Sequence, residues 1–243
     1  EKVKASGKTP AGTHRPIMVE PILEILNPRP GGRYVDCTFG FGGHSEAILR
    51  KITEGDNGGK DGDSESMEWG LLSLDCDPIE LPKSEARLRG LGFGPNRFTT
   101  KRTNFAGILA AVRERGWEGV DGVLADLGVS SMQLDNPARG FSLKAKGPLD
   151  MRMNPNKGIT AADLVAKSSR EELATLFLEA GDEPDAERIA AAVAGRRFQL
   201  TSDLAGAIRS VLPKLDDDGR NLAMRRVFQA LRIKLGRFRQ VGN

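Results

Sequence analysis

An α/β fold is predicted for the first half of this chain: a parallel, doubly wound sheet, followed by an all-helical region. Three observations predict it. Short apolar runs over 33–37, 70–74, 97–101 and 120–125 alternate with helical patterns. Three of these runs close at or beside an acid: Asp36, Asp75 and Asp126. A glycine-rich turn, T-F-G-F-G-G-H at 38–44, joins the first run to a helix.

The elements follow in order. Residues 16–26 form a short helix stopped by Asn27-Pro28. The strand over 33–37 leads through the glycine turn to a helix over 45–52, with Ala47, Ile48 and Leu49 available to face a sheet. Residues 53–69 are dense in Gly, Asp, Ser and Glu and read as a solvated loop. The strand over 70–74 closes on Asp75-Cys76-Asp77-Pro78, a third strand covers 97–101, a helix 106–115, and the strand over 120–125 closes on Asp126. Beyond Leu134 the strand period is lost. Residues 136–156 are rich in Pro, Gly and Arg, and helices are predicted over 160–165, 169–180, 184–197, 201–212 and 222–235. Ser168-Ser169 with Glu171-Glu172 makes a capping box, and Thr201 or Ser202 caps the next helix. The expected organisation is a flexible tail (1–13), a sheet domain (14–134), a helical insertion (135–220) and a return to the core (221–243).

Composition bounds the function. The 243 residues are 39% hydrophobic, enough for one large domain or one carrying an insertion. A net charge of +3 is too mild to argue for nucleic acid, although basic residues outnumber acidic ones over 188–239. Cys37 and Cys76 end predicted strands and read as reduced, buried thiols of a reducing compartment. With only His14 and His44 beside them they cannot build a zinc site of the usual kinds, so no metal is expected. No stretch approaches the roughly 20 apolar residues of a membrane span, and residues 1–12 lack the apolar core of a secretory signal. His14 reads as a structural or capping residue.

A glycine turn after a strand, with a helix N-terminus behind it, brings backbone N–H groups close to a nucleotide-type cofactor. Gly40, Gly42 and Gly43 are its candidate residues. A tight turn without ligand and a nicotinamide dinucleotide site are the other readings, but the latter's G-x-G-x-x-G spacing is absent. Asp36, four residues before Gly40, suits a cofactor with a cationic amino acid end. Asp75 can accept from ribose hydroxyls, or be an ordinary strand-end acid. Asp126 faces whatever binds across the strand ends, and Ser130, Ser131 and Gln133 add polar groups to its loop.

The chain resembles the methyltransferases that modify N4 of a cytosine in small-subunit ribosomal RNA. The resemblance rests on H-R-P-I-M-V at 14–19, D-C-T-F-G-F-G-G-H-S at 36–45, L-D-C-D-P at 74–78, D-G-V-L-A-D-L-G-V-S-S-M-Q-L-D at 121–135, R-G-F-S-L at 139–143, G-P-L-D-M-R-M-N at 147–154 and F-Q-A-L-R-I at 228–233. It implies a class I, Rossmann-like methyltransferase core with a helical insertion, and S-adenosylmethionine as cofactor. It carries cofactor contacts onto Gly42, Gly43, His44, Asp75, Phe105, Asp126 and Gln133. S-S-M-Q-L-D and the polar 53–69 insert lean the reading toward a mitochondrial-matrix branch, with bacterial cytoplasm or chloroplast stroma as alternatives. The family continues past 228–233 with an acid-containing helix and further strands; here K-L-G-R-F-R-Q-V-G-N ends the chain, so C-terminal strands are expected to be missing and the sheet to lack one edge. L-D-D-D-G-R-N-L-A-M-R-R also replaces the usual His-Pro-Ala-Thr run.

Cytosine N4 is a poor nucleophile, so transfer depends on placement and on a nearby hydrogen-bond acceptor. Asp126 is the candidate catalytic acceptor and Ser130 a second. The resemblance implies small-subunit rRNA or the assembling small subunit as substrate, with assembly proteins as further expected partners and no membrane. The RNA must present an unstacked base. Arg139, Phe141, Met151 and Arg152 are candidates to roof the base, and Arg225 and Arg226, with Arg196, Arg197 and Arg232, to contact phosphates. A non-catalytic ribosome-assembly factor that keeps the fold and binds RNA is the rival hypothesis. A dehydrogenase is disfavoured by the glycine spacing.

Overall fold

The computed structural model describes residues 16–55 and 68–237. The 1–13 tail, His14 and most of the polar loop lie outside the described residues. The chain divides after Met132 into two compact units.

The first unit is built on one parallel sheet of β1 (Arg33–Asp36), β2 (Gly70–Asp75), β3 (Phe98–Arg102) and β4 (Gly122–Leu124), in the order β3-β2-β1-β4. Residues alternate between its faces. Tyr34, Leu71 and Phe98 pack with Ile48, Leu49 and Ile52 of α2 (Gly43–Ile52) and with Leu81 and Leu88 of α3 (Glu80–Gly90). Val35, Leu72 and Leu74 pack with Ala111 and Val112 of α4 (Ile108–Glu114) and with Trp117. Helices therefore cover both faces, which is why β2 reads as a nearly continuous apolar run. A further helix, α1 (Val19–Leu26), precedes the sheet and stops where Asn27 turns left-handed at φ 46°. Helix α3 has no counterpart in the sequence prediction. Its apolar positions are few and Pro82 interrupts the pattern, but a proline in a first turn removes no helical hydrogen bond.

Strands β2 and β3 lie on one side of β1, and β4 on the other. The order in which strands are added thus reverses between β1 and β4, the position at which parallel sheets bind ligands in a crevice beyond the strands' carboxyl ends. Strand β4 is an edge strand, with Val123 48% exposed.

The second unit is helical. After α5 (Ser131–Asp135), which spans the division, come α6 (Ala161–Lys167), α7 (Arg170–Gly181), α8 (Ala186–Val193), α9 (Thr201–Ser210) and α10 (Asp217–Arg237). The irregular stretch before α6 is stitched to the approach of α9 by Leu149 N–H to the Gln199 carbonyl (2.8 Å) and Thr201 N–H to the Gly147 carbonyl (2.9 Å). Ser169 and Glu172 form the expected capping box, and Thr160 with Asp163 forms a second. Neither Thr201 nor Ser202 caps α9. Leu200 holds the cap position, and the buried Thr201 hydroxyl instead accepts from Gly147 N–H at 3.2 Å. Helix α10 packs against α7, α9 and α6 within this unit, whereas the sequence placed residues 221–243 with the sheet domain. No helix among the described residues is long and apolar enough to cross a membrane.

Candidate active site

The loops leaving β1, β2 and β4 carry the first unit's candidate residues. The turn after β1 is tied to both neighbouring strands. Cys37 N–H donates to the Leu124 carbonyl at 2.8 Å and Phe39 N–H to the Leu74 carbonyl at 2.9 Å. Gly40 N–H then donates to Asp75 Oδ2 at 3.0 Å, and Ser84 Oγ of α3 donates to the Gly40 carbonyl at 2.5 Å. Gly42 has φ 82°, and a Cβ there would stand 2.8 Å from Phe39 and 2.9 Å from Leu88. Angle and space both demand glycine. At Gly43 the reason is space alone, because a Cβ would meet Pro16 at 2.8 Å. Gly42 caps α2 with no side-chain bond, so the N–H groups of the first turn are left for an outside acceptor.

Across the crevice, Asp126 N–H donates to Thr38 Oγ1 at 2.8 Å. The Asp126 carboxylate is 47% exposed, and its Oδ2 lies 3.9 Å from His44 Nδ1. His44 Nε2 stands 2.9 Å from the Ile17 carbonyl. A carbonyl only accepts, so Nε2 carries the proton and Nδ1 faces Asp126. Ser130 lines the same turn: its Cβ is 3.7 Å from where a Gly40 side chain would begin. Phe105, just after β3, is 38% exposed.

One acid differs from expectation in what it touches. Asp36 is 1% exposed. Its Oδ1 accepts from Thr38 N–H (2.9 Å) and Thr38 Oγ1 (3.3 Å), and its Oδ2 from Ser45 Oγ (2.6 Å), which lies 2.8 Å from Ser73 Oγ. It holds the turn from inside and presents no surface to a cationic ligand, which corrects its reading as a cofactor contact. Burial pushes its pKa above the usual carboxylate value, against the hydrogen bonds from Ser45 and Thr38. Asp75 is half-buried, and burial raises its pKa too, opposed by the N–H groups of Asp77 and Gly40. With one backbone donor on each oxygen, Asp75 keeps acceptor capacity. Burial, and then the neighbouring Asp36, pushes the Cys37 thiol up to about 11. Cys76 is only half-buried, correcting the expectation that both thiols are enclosed.

The model of the MraW methylase family matches residues 11–238. The chain belongs to that family. Among its relatives, "Ribosomal RNA small subunit methyltransferase H 1" of Lachnoclostridium phytofermentans is 43% identical over 96% of this chain and 62% of its own length. The protein of the same name from Agathobacter rectalis is 43% identical over 96% of this chain and 65% of its own length. "Ribosomal RNA small subunit methyltransferase H 2" of Acholeplasma laidlawii is 42% identical, with the same two coverages. The chain thus spans a little under two thirds of these relatives. They are bacterial proteins, so the mitochondrial leaning drawn from S-S-M-Q-L-D finds no support among them.

The remaining candidates of this MraW-family chain lie in its second unit. Gln133 is buried there. Phe141 is 0% exposed and Met151 1%, so neither offers a face to a splayed base. Arg139 is buried as well, donating to the carbonyls of Arg152 and Met153 at 2.9 Å. These three are core residues, a correction of their reading as an RNA roof. Arg152 forms a two-pronged pair with Asp150 (2.8 and 2.7 Å). Arg226 stands 4.0 Å from the buried Glu183, Arg232 donates to the Phe141 carbonyl at 2.9 Å, and Arg225 is exposed. Sequence reasoning missed Thr38, Ser45, Ser84 and Arg87, which build the turn. Small hydroxyls carry no periodic signal. Ser84 and Arg87 were hidden with α3 itself, although Leu81, Ser84 and Leu88 share its buried face.

Proposed function

We propose that this chain carries the site of a methyltransferase that moves a methyl group from S-adenosylmethionine to N4 of a cytosine in small-subunit ribosomal RNA. The observation that carries this reading is the sheet edge, where a glycine turn opens onto the uncapped first turn of α2 between Asp75 and the exposed Asp126. The residues present fit the cofactor. The N–H groups of α2 suit its amino acid carboxylate. Asp75 retains acceptor capacity for ribose hydroxyls, and the part-exposed Phe105 offers an apolar face beside the base. Gly40, Gly42, Gly43 and His44 shape the wall. Gln133 stays a proposed contact on the family resemblance alone.

When bound, S-adenosylmethionine supplies an electrophilic methyl on a positively charged sulfur. The protein's task is to place the cytosine amino nitrogen in line with it. Asp126 accepts a hydrogen bond from that amino group and takes its proton as the new bond forms. Ser130, on the same wall, is the second acceptor. Arg225 holds RNA phosphate, with Arg152 and Arg226 drawn on only by exchanging the carboxylates they now face. The proposed setting is the assembling small subunit in a bacterial cytoplasm, in keeping with the relatives' sources.

The test is mass spectrometry of rRNA nucleosides from cells with and without the protein, beside calorimetric titration with S-adenosylmethionine. N4-methylcytidine is expected to disappear without it. An unchanged nucleoside profile overturns the reading. Cofactor-independent binding of small-subunit RNA would favour a non-catalytic assembly factor instead.

A further inference from the structure

Thr38 stands between two carboxylates. Its N–H and its hydroxyl both face Asp36 Oδ1, at 2.9 and 3.3 Å. The same hydroxyl oxygen receives Asp126 N–H at 2.8 Å, from 88 residues away. A hydroxyl has one proton and two acceptor pairs. The Thr38 hydroxyl gives its proton to Asp36 Oδ1, which leaves the oxygen's lone pairs to the Asp126 N–H. Asp36 is itself anchored by Ser45 of α2, whose Oγ lies 2.8 Å from Ser73 of β2.

This bridge begins where the sheet ends. The β1–β4 register stops at Asp36 opposite Leu124, and Cys37 N–H to the Leu124 carbonyl closes it. Two residues on, the Thr38 hydroxyl prolongs the tie. The Asp126 side chain is 47% exposed, so packing does not hold it.

We propose that Thr38 is a positioning residue: its hydroxyl, aimed by the buried Asp36, sets the Asp126 backbone and through it the carboxylate that receives the substrate's amino proton. The kinetic consequence rests on the methyl-transfer reading above; the bridge itself does not. The Ser73–Ser45–Asp36 chain is then the foundation of the site, with Thr38 its working end.

Thr38→Val keeps the branched shape and removes the hydroxyl, while Thr38→Ser keeps the hydroxyl. In the ligand-free 243-residue chain, hydrogen exchange at the Asp126 amide is expected to quicken about tenfold in Thr38→Val and to stay within about twofold in Thr38→Ser. In methyl transfer, Thr38→Val is expected to lower kcat about tenfold with KM for S-adenosylmethionine within about threefold, and to add nothing in an Asp126→Ala background. A hydroxyl that merely stabilised the turn would act equally in both backgrounds and raise KM, which overturns the proposal. Unchanged exchange at Asp126 overturns it as well. If the unaltered protein transfers no methyl, the functional reading fails while exchange still decides the bridge. Should Thr38→Val not fold, Thr38→Ala reads the same bond.

Discussion

At the scale of single residues, the site depends on which polar groups face inward. Asp36 ends β1 and Asp126 follows two residues after β4, yet one is shut inside the turn and the other is half open. Asp126→Asn keeps the shape but weakens the acceptor. It is expected to lower the single-turnover rate of methyl transfer by roughly 100-fold, the scale of a lost general base, while calorimetry finds cofactor affinity within a few-fold of the original. Full activity in this variant would remove Asp126 from the chemistry. The cysteines give a second expectation. Reactivity needs thiolate and access, and Cys37 is buried with its thiol pushed up to about 11, whereas Cys76 is half-buried. Brief alkylation of the native protein near pH 8 should therefore label Cys76 first, with Cys37 modified only on unfolding, as read by peptide mass spectrometry.

At the scale of elements, α3 clamps the glycine turn from one side. Ser84 holds the Gly40 carbonyl. Arg87 donates to the Phe41 carbonyl (3.2 and 3.0 Å), lies 4.4 Å from the Phe41 ring centre and pairs with Glu46 of α2 at 2.7 Å. Arg87→Ala removes the carbonyl bonds and the pair together and is expected to cost about 1–3 kcal/mol, visible as a lower Tm. The same pair sets a pH dependence. Burial alone would raise the pKa of Glu46, but Arg87 and Arg50 together hold it below its ordinary 4.5. A lowered carboxyl pKa stabilises fully above the unfolded value and is lost as pH falls through the folded one. Thermal melts should thus show a steeper loss below about pH 4.5 in the original protein than in Arg87→Ala.

At the scale of the whole molecule, the two units carry different burdens. The sheet unit holds the crevice, and the helical unit holds a core of its own, with Phe141, Phe177 and Phe228 each no more than 1% exposed. Phe141→Ala is expected to cost about 3–5 kcal/mol, as other buried phenylalanines do, and to lower Tm. Arg225→Glu should leave Tm nearly unchanged yet weaken RNA binding and flatten its salt dependence by about one unit of slope. Filter binding across a salt series separates the two. Equal RNA effects from both variants at a temperature where both are folded would restore Phe141 as a contact.

The parallel strands, the glycine turn, the strand-end acids and most helices were legible in the sequence. Each is a local pattern: a short apolar run, a residue that tolerates left-handed backbone, a cap three residues before its partner. Family membership was legible too, because its motifs run in order along the chain. What tertiary structure alone decided is burial. Asp36 and Asp126 look alike as strand ends, and Phe141 and Phe105 look alike as loop aromatics. Only the packing around them separates an acid that braces the turn from one that meets solvent, and a core ring from a half-exposed one. Burial depends on neighbours far away in sequence, and so does the Thr38 hydroxyl that joins two loops 88 residues apart. No local pattern contains those neighbours.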